Sequence, residues 1–228
     1  MINKKLLVVV PYRDRATHLE CFIPYISSTL NQQNIIHQII IVEQSVHKPF
    51  NRGLLSNIGF DIFHNNFDYI CIHDIDMIGE DFDYSYEPDA VIHLSFKKKV
   101  DNEYVRCYDR YLGGVVMFDK NDFLKINGFS NNYWGWGCED DDLRLRCHTF
   151  NLNVVYRQCH YKTLPHETIR DFNLYKKNYD FMVKQFKCQQ NERIDMIKND
   201  GIKQCDKIYQ SIEIIEKQSY TLIKCHIK

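Results

Sequence analysis

Residues 131–142 have the sequence Asn131-Asn132-Tyr133-Trp134-Gly135-Trp136-Gly137-Cys138-Glu139-Asp140-Asp141-Asp142. The stretch contains both tryptophans of the chain, in a Trp-Gly-Trp-Gly run, and then four consecutive carboxylates. Such a run suits a loop that stacks an indole on a sugar ring and binds the sugar hydroxyls through carboxylates. The alternative is an acidic first helical turn, in which residues 139–142 lie at the positive end of the helix dipole. That alternative explains the carboxylates but leaves the paired indoles and glycines unexplained.

The composition of the 228-residue chain indicates one domain of ordinary size. Apolar residues make up 44% of it, which is enough for a sizeable core. The net charge of −1 argues against nucleic acid as an obligatory partner, and the longest basic cluster, Lys97-Lys98-Lys99, is typical of a solvated turn. Nine cysteines without a metal-finger spacing predict reduced thiols in a cytosolic compartment, with one or two disulfides left open.

The start of the chain predicts a buried strand rather than a signal peptide. Its apolar run, Leu6–Val10, is followed at once by Pro11 and charged residues, and no small-residue cleavage site comes after it. Elsewhere no apolar run approaches the ~20 residues that a membrane span needs. We therefore expect no membrane segment in this chain and a cytoplasmic protein.

Strand-like and helix-like segments alternate along most of the chain. The predicted strands are Leu6–Val10, Ile39–Val42, Tyr69–His73, Val91–Phe96 and Gly114–Phe118. The predicted helices are Thr17–Leu30, Asn51–Phe63 and Asn121–Ile126. This alternation predicts an α/β fold with a mixed, mostly parallel sheet flanked by helices. Residues 171–218 are rich in Lys, Gln, Asn and Tyr, so we predict a core at 1–170 and a helical C-terminal extension at 171–228, packed on the same domain.

Two carboxylates follow the third predicted strand. Asp74-Ile75-Asp76 comes directly after Tyr69–His73. In open α/β sheets, ligands collect at the carboxyl ends of the strands, and oxygen ligands suit Mg²⁺ or Mn²⁺. A D-x-D pair alone is a weak signal, but its place after a hydrophobic strand favours a cation that neutralises a diphosphate.

Basic residues follow the first strand and open the second helix. Arg13 and Arg15 come after Pro11, and arginines at such a position can fork onto phosphate oxygens. A surface ion pair with Asp14 explains them equally well. Arg52 lies in the first turn of the second helix, where backbone N–H groups and the helix dipole also attract an anion.

Two later motifs are weaker on their own. Tyr111-Leu112-Gly113-Gly114 precedes a strand, and paired glycines permit a close approach of the backbone to a ligand, although a plain turn is the simpler explanation. His166 is a candidate metal ligand, although a lone histidine is more often structural.

These segments, in this order, resemble the β-1,4-galactosyltransferase family from about Val8 to His166. The matching motifs are Phe50-Asn51-Arg52 with Asn57-Ile58-Gly59, His73-Asp74-Ile75-Asp76, Tyr111-Leu112-Gly113-Gly114, Phe123-Leu124-Lys125-Ile126-Asn127-Gly128 and Trp134-Gly135-Trp136-Gly137-Cys138-Glu139-Asp140-Asp141. The last of these blocks is highly specific. The resemblance implies a GT-A-type fold and an inverting transfer of galactose from UDP-galactose to an acceptor sugar in β-1,4 linkage, with Mn²⁺, or alternatively Mg²⁺, as the cofactor.

The resemblance also implies roles for individual residues. Asp140 would be the general base, and the metal ligands would be Asp76 and His166, with Asp74 beside them. The donor would be bound by Pro11, Arg13, Arg15, Phe50, Arg52, Asp74, Ile75, Tyr111, Gly114 and Trp136. The acceptor would be bound by Tyr111, Trp136, Glu139, Asp140 and Asp141. Tyr111 matches a tyrosine whose bulk favours galactose over N-acetylgalactosamine.

Three departures from the family pattern bear on these roles. Cys138 stands where many members have glycine or arginine, and Thr163 stands where some relatives have a metal-ligating methionine. Tyr161-Lys162-Thr163 is most similar to the branch that transfers galactose to xylose on proteoglycan linkers, but that branch has a His-x-His pair that is missing around His166. The luminal members carry an N-terminal anchor, so we expect either a cytosolic enzyme or a truncated luminal one. The content of Asn, Ile and Lys favours a viral or microbial origin.

The expected reaction is a single in-line displacement, with the Trp136 loop and the segment after His166 closing over the substrates. Two alternatives are a transferase of the same fold that uses UDP-GalNAc or UDP-GlcNAc, and a metal-dependent hydrolase of sugar nucleotides. A silent sugar-binding module would have no reason to keep Arg52, Asp76 and His166 together. The acceptor is left open among GlcNAc, xylose, glucose and other glycans.

Overall fold

The computed structural model describes residues 4–45, 47–101, 103–108, 111–166 and 171–228. Within these ranges the strands are β1 (Lys5–Tyr12), β2 (Ile36–Gln44), β3 (Tyr69–His73), β4 (Met77–Gly79), β5 (Val91–His93), β6 (Lys97–Val100), β7 (Glu103–Arg106), β8 (Val115–Asp119), β9 (Val154–Tyr156), β10 (His160–Thr163), β11 (Tyr209–Glu216) and β12 (Thr221–Ile227). The α-helices are α1 (Ala16–Gln32), α2 (Arg52–Phe63), α3 (Lys120–Lys125), α4 (Glu139–Thr149), α5 (Phe172–Lys187), α6 (Gln190–Lys198) and α7 (Ile202–Cys205).

The main sheet has eight strands in the order β11-β12-β2-β1-β3-β8-β5-β9. The pairs β12–β2, β2–β1, β1–β3 and β5–β9 are parallel, and the pairs β11–β12, β3–β8 and β8–β5 are antiparallel. The sheet is therefore mixed and mostly parallel, as predicted. A second, smaller sheet has the order β4-β10-β6-β7.

The centre of the main sheet is covered on both faces. Alternate residues of β1 enter two separate cores: Leu7 and Val9 pack with α2, whereas Leu6, Val8 and Val10 pack with α1. All five side chains are fully buried. A strand that is covered on both faces has a continuous apolar sequence instead of an alternating one, which is why this run was recognisable from the sequence.

The helix that carries Arg52 is fixed by its first turn. Asn51 caps α2, because its side-chain oxygen accepts from the backbone N–H of Leu54 at 2.9 Å. The Asn51 amide donates to the carbonyl of Asn131 at 2.8 Å, which ties this turn to the loop before α4. The start of α2 and the start of α4 are therefore held against each other.

The predicted helical C-terminal extension is correct for α5, α6 and α7 but wrong for residues 209–227. These residues form the hairpin β11–β12, and β12 joins the main sheet beside β2. Burial alternates along β12, since Thr221, Ile223, Cys225 and Ile227 are buried and the residues between them are more exposed. The sequence itself does not alternate in this way, because the apolar Leu222 lies between Thr221 and Ile223.

Two smaller predictions also need correction. Lys97-Lys98-Lys99 forms part of β6 in the second sheet and is not a turn. Strand β5 ends at His93, so the predicted strand Val91–Phe96 is too long. All nine cysteines are free thiols. Within the described ranges, no helix combines the length and the apolarity that crossing a membrane would require.

Candidate functional site

The predicted site residues come together at the carboxyl ends of the central parallel strands. Strand β1 ends at Tyr12 and is followed by Arg13 and Arg15, and β3 ends at His73 and is followed by Asp74 and Asp76. Because β1 and β3 are neighbouring parallel strands, their two C-terminal loops lie at one edge of the sheet.

Asp76 lies at the centre of one charged cluster. His166 Nδ1 lies 3.2 Å from Asp76 Oδ2, and Arg15 lies 3.8 Å from the same oxygen. Burial, together with the charge of Asp74, raises the pKa of Asp76, while His166 and Arg15 oppose the rise. The backbone places His166 here, since the N–H of Leu164 donates to the carbonyl of Asp76 at 2.7 Å. Asp76 and His166, which are 90 positions apart in the chain, are thus in contact beside Arg15.

The Asp76–His166 pair fits a divalent cation. Two donors bound at ~2.1 Å to one octahedral ion are separated by roughly 3 Å, which is close to the separation of these two atoms. Asp76 is 8% exposed, so its charge needs a counter-charge. Within the described ranges, no group of three or more His, Cys, Asp or Glu side chains is already arranged around a metal position. Asp76 and His166 are the residues that would hold such a cation.

Arg52 links Asp74 to Asp140. Its Nε donates to Asp74 Oδ1 at 2.6 Å, and its NH1 donates to Asp140 Oδ1 at 3.1 Å. Burial alone would lower the pKa of Arg52, but Asp74 and Asp140 outweigh it and raise the pKa. The Asp74 N–H also donates to the carbonyl of Gly114 at 2.9 Å. Its guanidinium thus contacts two carboxylates at once, and its expected contact with the donor diphosphate stays a prediction.

The acidic run forms the first turn of α4, which confirms the helical explanation of the four carboxylates, and the Trp-Gly-Trp-Gly run is the loop that precedes this helix. Cys138 precedes the helix with a φ of 76°, in the left-handed region that favours glycine. Burial and the adjacent Glu139 raise the pKa of Asp140 well above its usual range, and Arg52 opposes the rise. The Asp140 side chain is still 20% exposed, so a ligand can reach it. A partly buried carboxylate with a raised pKa is suited to act as a base.

Gly113 makes room for Asp140. A Cβ added at Gly113 would lie inside van der Waals contact of the Asp140 carboxylate. Gly113→Ala should therefore displace the Asp140 carboxylate and slow any reaction in which that carboxylate takes part by ~10²-fold, the effect of moving a reacting group by about 1 Å. The thermal unfolding temperature should stay near wild type, because Gly113 has a φ that alanine also adopts. Kinetics and calorimetry test this; an unchanged rate would show that Gly113 does not set the position of Asp140.

The Trp-Gly-Trp-Gly loop packs against α5. Asn178 of α5 is buried, and its amide donates to the carbonyls of Trp134 at 3.0 Å and Gly137 at 3.1 Å. The ring of Trp136 lies 5.5 Å from the ring of Tyr175 and is 45% exposed. The loop that precedes Asp140 thus presents its indole at the surface beside the acidic turn.

The remaining predicted residues line the same edge. Arg13 lies over the Phe50 ring at 5.3 Å and donates to the carbonyl of Lys48 at 2.8 Å. Tyr111 is half-buried, and burial followed by the charge of Asp140 raises its pKa well above the usual value. The strand ends and turns that carry the charged residues also contain three buried predicted residues, Pro11, Ile75 and Gly114.

Sequence reasoning missed three residues at this site. The ring of His18 lies 6.2 Å from the ring of His166, and its buried Nε2 has no hydrogen-bond partner among the described residues. Tyr108 places its hydroxyl 3.5 Å from Asp141, and Asn178 holds the tryptophan loop. Of these three, only His18 could have been predicted from the sequence, because it lies one helical turn after Arg15 and so on the same side of the helix.

The open mixed sheet, with the Asp74-Ile75-Asp76 turn after its central strand β3 and Arg13 and Arg15 at the end of the adjacent strand β1, has the arrangement of the GT-A class of folds. Two regions of the chain match family models: residues 1–89 match the "N-terminal region of glycosyl transferase group 7", and residues 95–167 match the "N-terminal domain of galactosyltransferase". The chain belongs to the β-1,4-galactosyltransferase family.

Proteins with similar sequences carry names of the same family. Over 154 residues the chain is 36% identical to beta-1,4-galactosyltransferase 4 of Mus musculus, which covers 66% of this chain and 44% of the relative. Over 184 residues it is 34% identical to xylosylprotein 4-beta-galactosyltransferase of Caenorhabditis elegans, covering 79% of this chain and 63% of the relative. The chain thus spans about half the length of the curated relatives that it matches.

The fold is shared with a solved catalytic domain. Drosophila beta-1,4-galactosyltransferase 7 in complex with xylobiose superposes with a TM-score of 0.78 at 24% identity, covering 99% of this chain and 94% of that chain. A mutant of the same protein in complex with manganese, UDP-Gal and xylobiose superposes with a TM-score of 0.74 at 25% identity, with the same coverage. The predicted GT-A-type fold is therefore confirmed.

Proposed function

We propose that the protein transfers galactose from UDP-galactose to a hydroxyl of an acceptor sugar, forming a β-1,4 linkage with inversion at the anomeric carbon. The observation that carries this proposal is the ion-paired series Asp74–Arg52–Asp140, which joins the D-x-D turn to the acidic turn beside Trp136. The names of the relatives and the ligands of the Drosophila complex support it.

The donor would lie along the edge formed by β1 and α2. Phe50 and Arg13 already pack on each other there and offer a flat surface for uracil, with Pro11 at the end of β1 beside them. Arg15 would bind the diphosphate on the side of Asp76. Arg52 keeps Asp74 and Asp140 in place, and its positive charge also favours the approach of the diphosphate.

Asp76 and His166 would hold Mn²⁺, or Mg²⁺, with Asp74 close by. When bound, the cation stabilises the negative charge that develops on the leaving diphosphate. The chain's own contribution is to hold the exposed His166 against the buried Asp76 and to direct Arg15 toward the same carboxylate.

Asp140 would perform the proton transfer. As the acceptor oxygen forms its bond to the anomeric carbon, the bond to UDP breaks on the opposite face and the hydroxyl proton passes to Asp140. Glu139 and Asp141 would bind hydroxyls of the two sugars, and Tyr111 would limit the donor to galactose. Trp136 would cover the sugars and exclude water. The segment predicted to close after His166 begins at residues 167–170, which lie outside the described residues.

As the pH is lowered, the rate of transfer should begin to fall at a higher pH than it would if the base were an aspartate with an ordinary pKa. Because burial and Glu139 raise the pKa of Asp140, a protonated and inactive Asp140 persists toward higher pH. The kcat/KM should be full where Asp140 is ionised and fall as the pH drops through this raised pKa. Since Arg52 opposes the rise, Arg52→Gln should move the acid limb to still higher pH; a limb that does not move would contradict the assignment.

The proposed activity is tested by incubating the protein with UDP-galactose, Mn²⁺ and an array of monosaccharide glycosides that includes GlcNAc, xylose and glucose. We expect a disaccharide product with one of them, and much slower UDP release without acceptor. Release of UDP that acceptors do not increase would favour a sugar-nucleotide hydrolase. Transfer from UDP-GalNAc or UDP-GlcNAc in preference to UDP-galactose would assign the alternative donor and remove the proposed role of Tyr111.

A further inference from the structure

Two buried polar side chains bond to the glycine turn against which Asp140 lies. His93 is the last residue of β5, Ser95 follows two residues later, and both are fully buried. Ser95 Oγ donates to the carbonyl oxygen of Gly113 at 2.6 Å, and His93 Nε2 lies 2.9 Å from the same oxygen. A buried polar group destabilises the fold unless it is hydrogen-bonded, so these bonds indicate what the two side chains do.

His93 acts as a donor to this carbonyl. Burial lowers the pKa of His93 to about 4, so its imidazole is neutral near neutral pH and carries a single N–H. A carbonyl oxygen can only accept, which places that N–H at Nε2. The other ring nitrogen, Nδ1, is buried and has no hydrogen-bond partner among the described residues. The Gly113 carbonyl thus accepts from two side chains at once.

Ser95 continues the pairing of β5 with β8 beyond the end of β5. The backbone N–H of Leu94 donates to the carbonyl of Val115 at 3.0 Å. One residue further on, the Ser95 hydroxyl accepts from the N–H of Val115 at 2.8 Å while it donates to Gly113. A single hydroxyl therefore joins the residues on either side of Gly114 and takes the place of backbone pairing.

The opposite side of the same turn supports the charged residues of the site. The carbonyl of Gly114 accepts from the backbone N–H of Asp74 at 2.9 Å and from Arg52 at 3.4 Å. Gly113 lies so close to the Asp140 carboxylate that a Cβ would not fit between them. A shift of the turn would therefore be passed to the side chains that surround it.

We propose that Ser95, together with His93, is a positioning residue, which holds Gly113 in the place that sets the position of the Asp140 carboxylate. The inference rests on the proposed function, in which Asp140 takes the proton of the acceptor hydroxyl. Both residues act through the turn, since both are fully buried. Without the Ser95 hydroxyl, the N–H of Val115 loses its partner and the Gly113 carbonyl keeps one donor, so the turn can move relative to Asp140.

Ser95→Ala should lower kcat for galactose transfer about 10-fold, less than the ~10²-fold effect of a displacement of about 1 Å, because His93 still holds the turn. The decisive comparison repeats the substitution in Asp140→Asn. There Ser95→Ala should change the residual kcat by less than about 2-fold, because the group that it positions no longer takes part. A role in stability alone would change kcat by the same factor in both backgrounds.

Thr149→Val is the matched control, because it removes another buried hydroxyl, which donates to the carbonyl of Leu145 within α4. It should leave kcat unchanged. A second measurement needs no activity: the carboxyl ¹³C resonance that is missing in Asp140→Asn belongs to Asp140. This resonance should shift in Ser95→Ala and stay in place in Thr149→Val. Thermal unfolding temperatures of all variants are recorded alongside.

An unchanged kcat in Ser95→Ala, an equal loss with and without the Asp140 carboxylate, or an unshifted Asp140 resonance would overturn the inference. If Ser95→Ala does not fold, Ser95→Cys, which retains a weak donor, decides by the same comparisons. A failure of the proposed function gives a different result. Transfer would then be absent, or Asp140→Asn would keep the wild-type kcat, and the resonance alone would show whether Ser95 positions Asp140.

Discussion

Asp140→Asn should lower kcat for galactose transfer by ~10²–10⁴-fold, the usual contribution of a general base. Asparagine preserves the shape of the side chain and can still contact Arg52, but it cannot accept the proton of the acceptor hydroxyl. Affinity for UDP in the presence of Mn²⁺ should stay close to that of the wild type, because Arg52 separates Asp140 from Asp74 and the D-x-D turn. Single-turnover kinetics and UDP titration measure the two quantities separately.

Asp141→Asn is the matched control for this prediction. Asp141 is the next residue of the same helical turn, and it contacts Tyr108 rather than Arg52. We expect Asp141→Asn to raise the KM for the acceptor with a much smaller change in kcat. Equal losses of kcat in both variants, or loss of UDP binding in Asp140→Asn, would count against Asp140 as the base.

Asp76→Ala should abolish the dependence of UDP binding on Mn²⁺. In the wild type, Asp76 and His166 lie close enough together to bind one cation beside Arg15, so removing Asp76 leaves the diphosphate without its counter-ion. We expect UDP affinity in Asp76→Ala to equal that of the metal-free wild type at every Mn²⁺ concentration. Electron paramagnetic resonance of Mn²⁺ titrated with protein and UDP measures metal binding without requiring activity.

The chain contains a second pair of the same chemistry that serves as the control. Asp81 and His160 lie 2.7 Å apart on the second sheet, and both side chains are more exposed than those of Asp76 and His166. Asp81→Ala should leave the Mn²⁺ dependence of UDP binding unchanged. A wild-type titration curve for Asp76→Ala, or the same loss in both variants, would refute the predicted ligand role of Asp76.

The central part of the fold was predictable because its signals are local. The apolar run of β1 and the helical spacing of α2 each reflect burial that the segment itself determines. The hairpin β11–β12 was not predicted, although burial alternates along β12. The C-terminal segment that contains the hairpin is polar enough for exposed helices. What makes it a strand is pairing with β2, about 180 residues away along the chain. Such long-range pairing overrides local preference.

The candidate site was predictable as a set of residues but not as a geometry. The motifs and the family resemblance identified Arg52, Asp74 and Asp140, and the structure places these three in one ion-paired series. The sequence could not show that Arg52 would be enclosed by two carboxylates, since the contact joins residues that are 88 positions apart. The attachment of the tryptophan loop to α5 was equally hidden, because it depends on which face of α5 packs against that loop.

The most direct test of the account is the anomeric configuration of the product, followed by proton NMR as UDP-galactose reacts with the best acceptor of the array. The account predicts that the first product formed is the β-galactoside linked to O4, appearing together with UDP and only when the acceptor is present. An α-linked galactoside would contradict the single displacement with Asp140 as base. Free galactose formed at the same rate with and without acceptor would contradict transfer altogether.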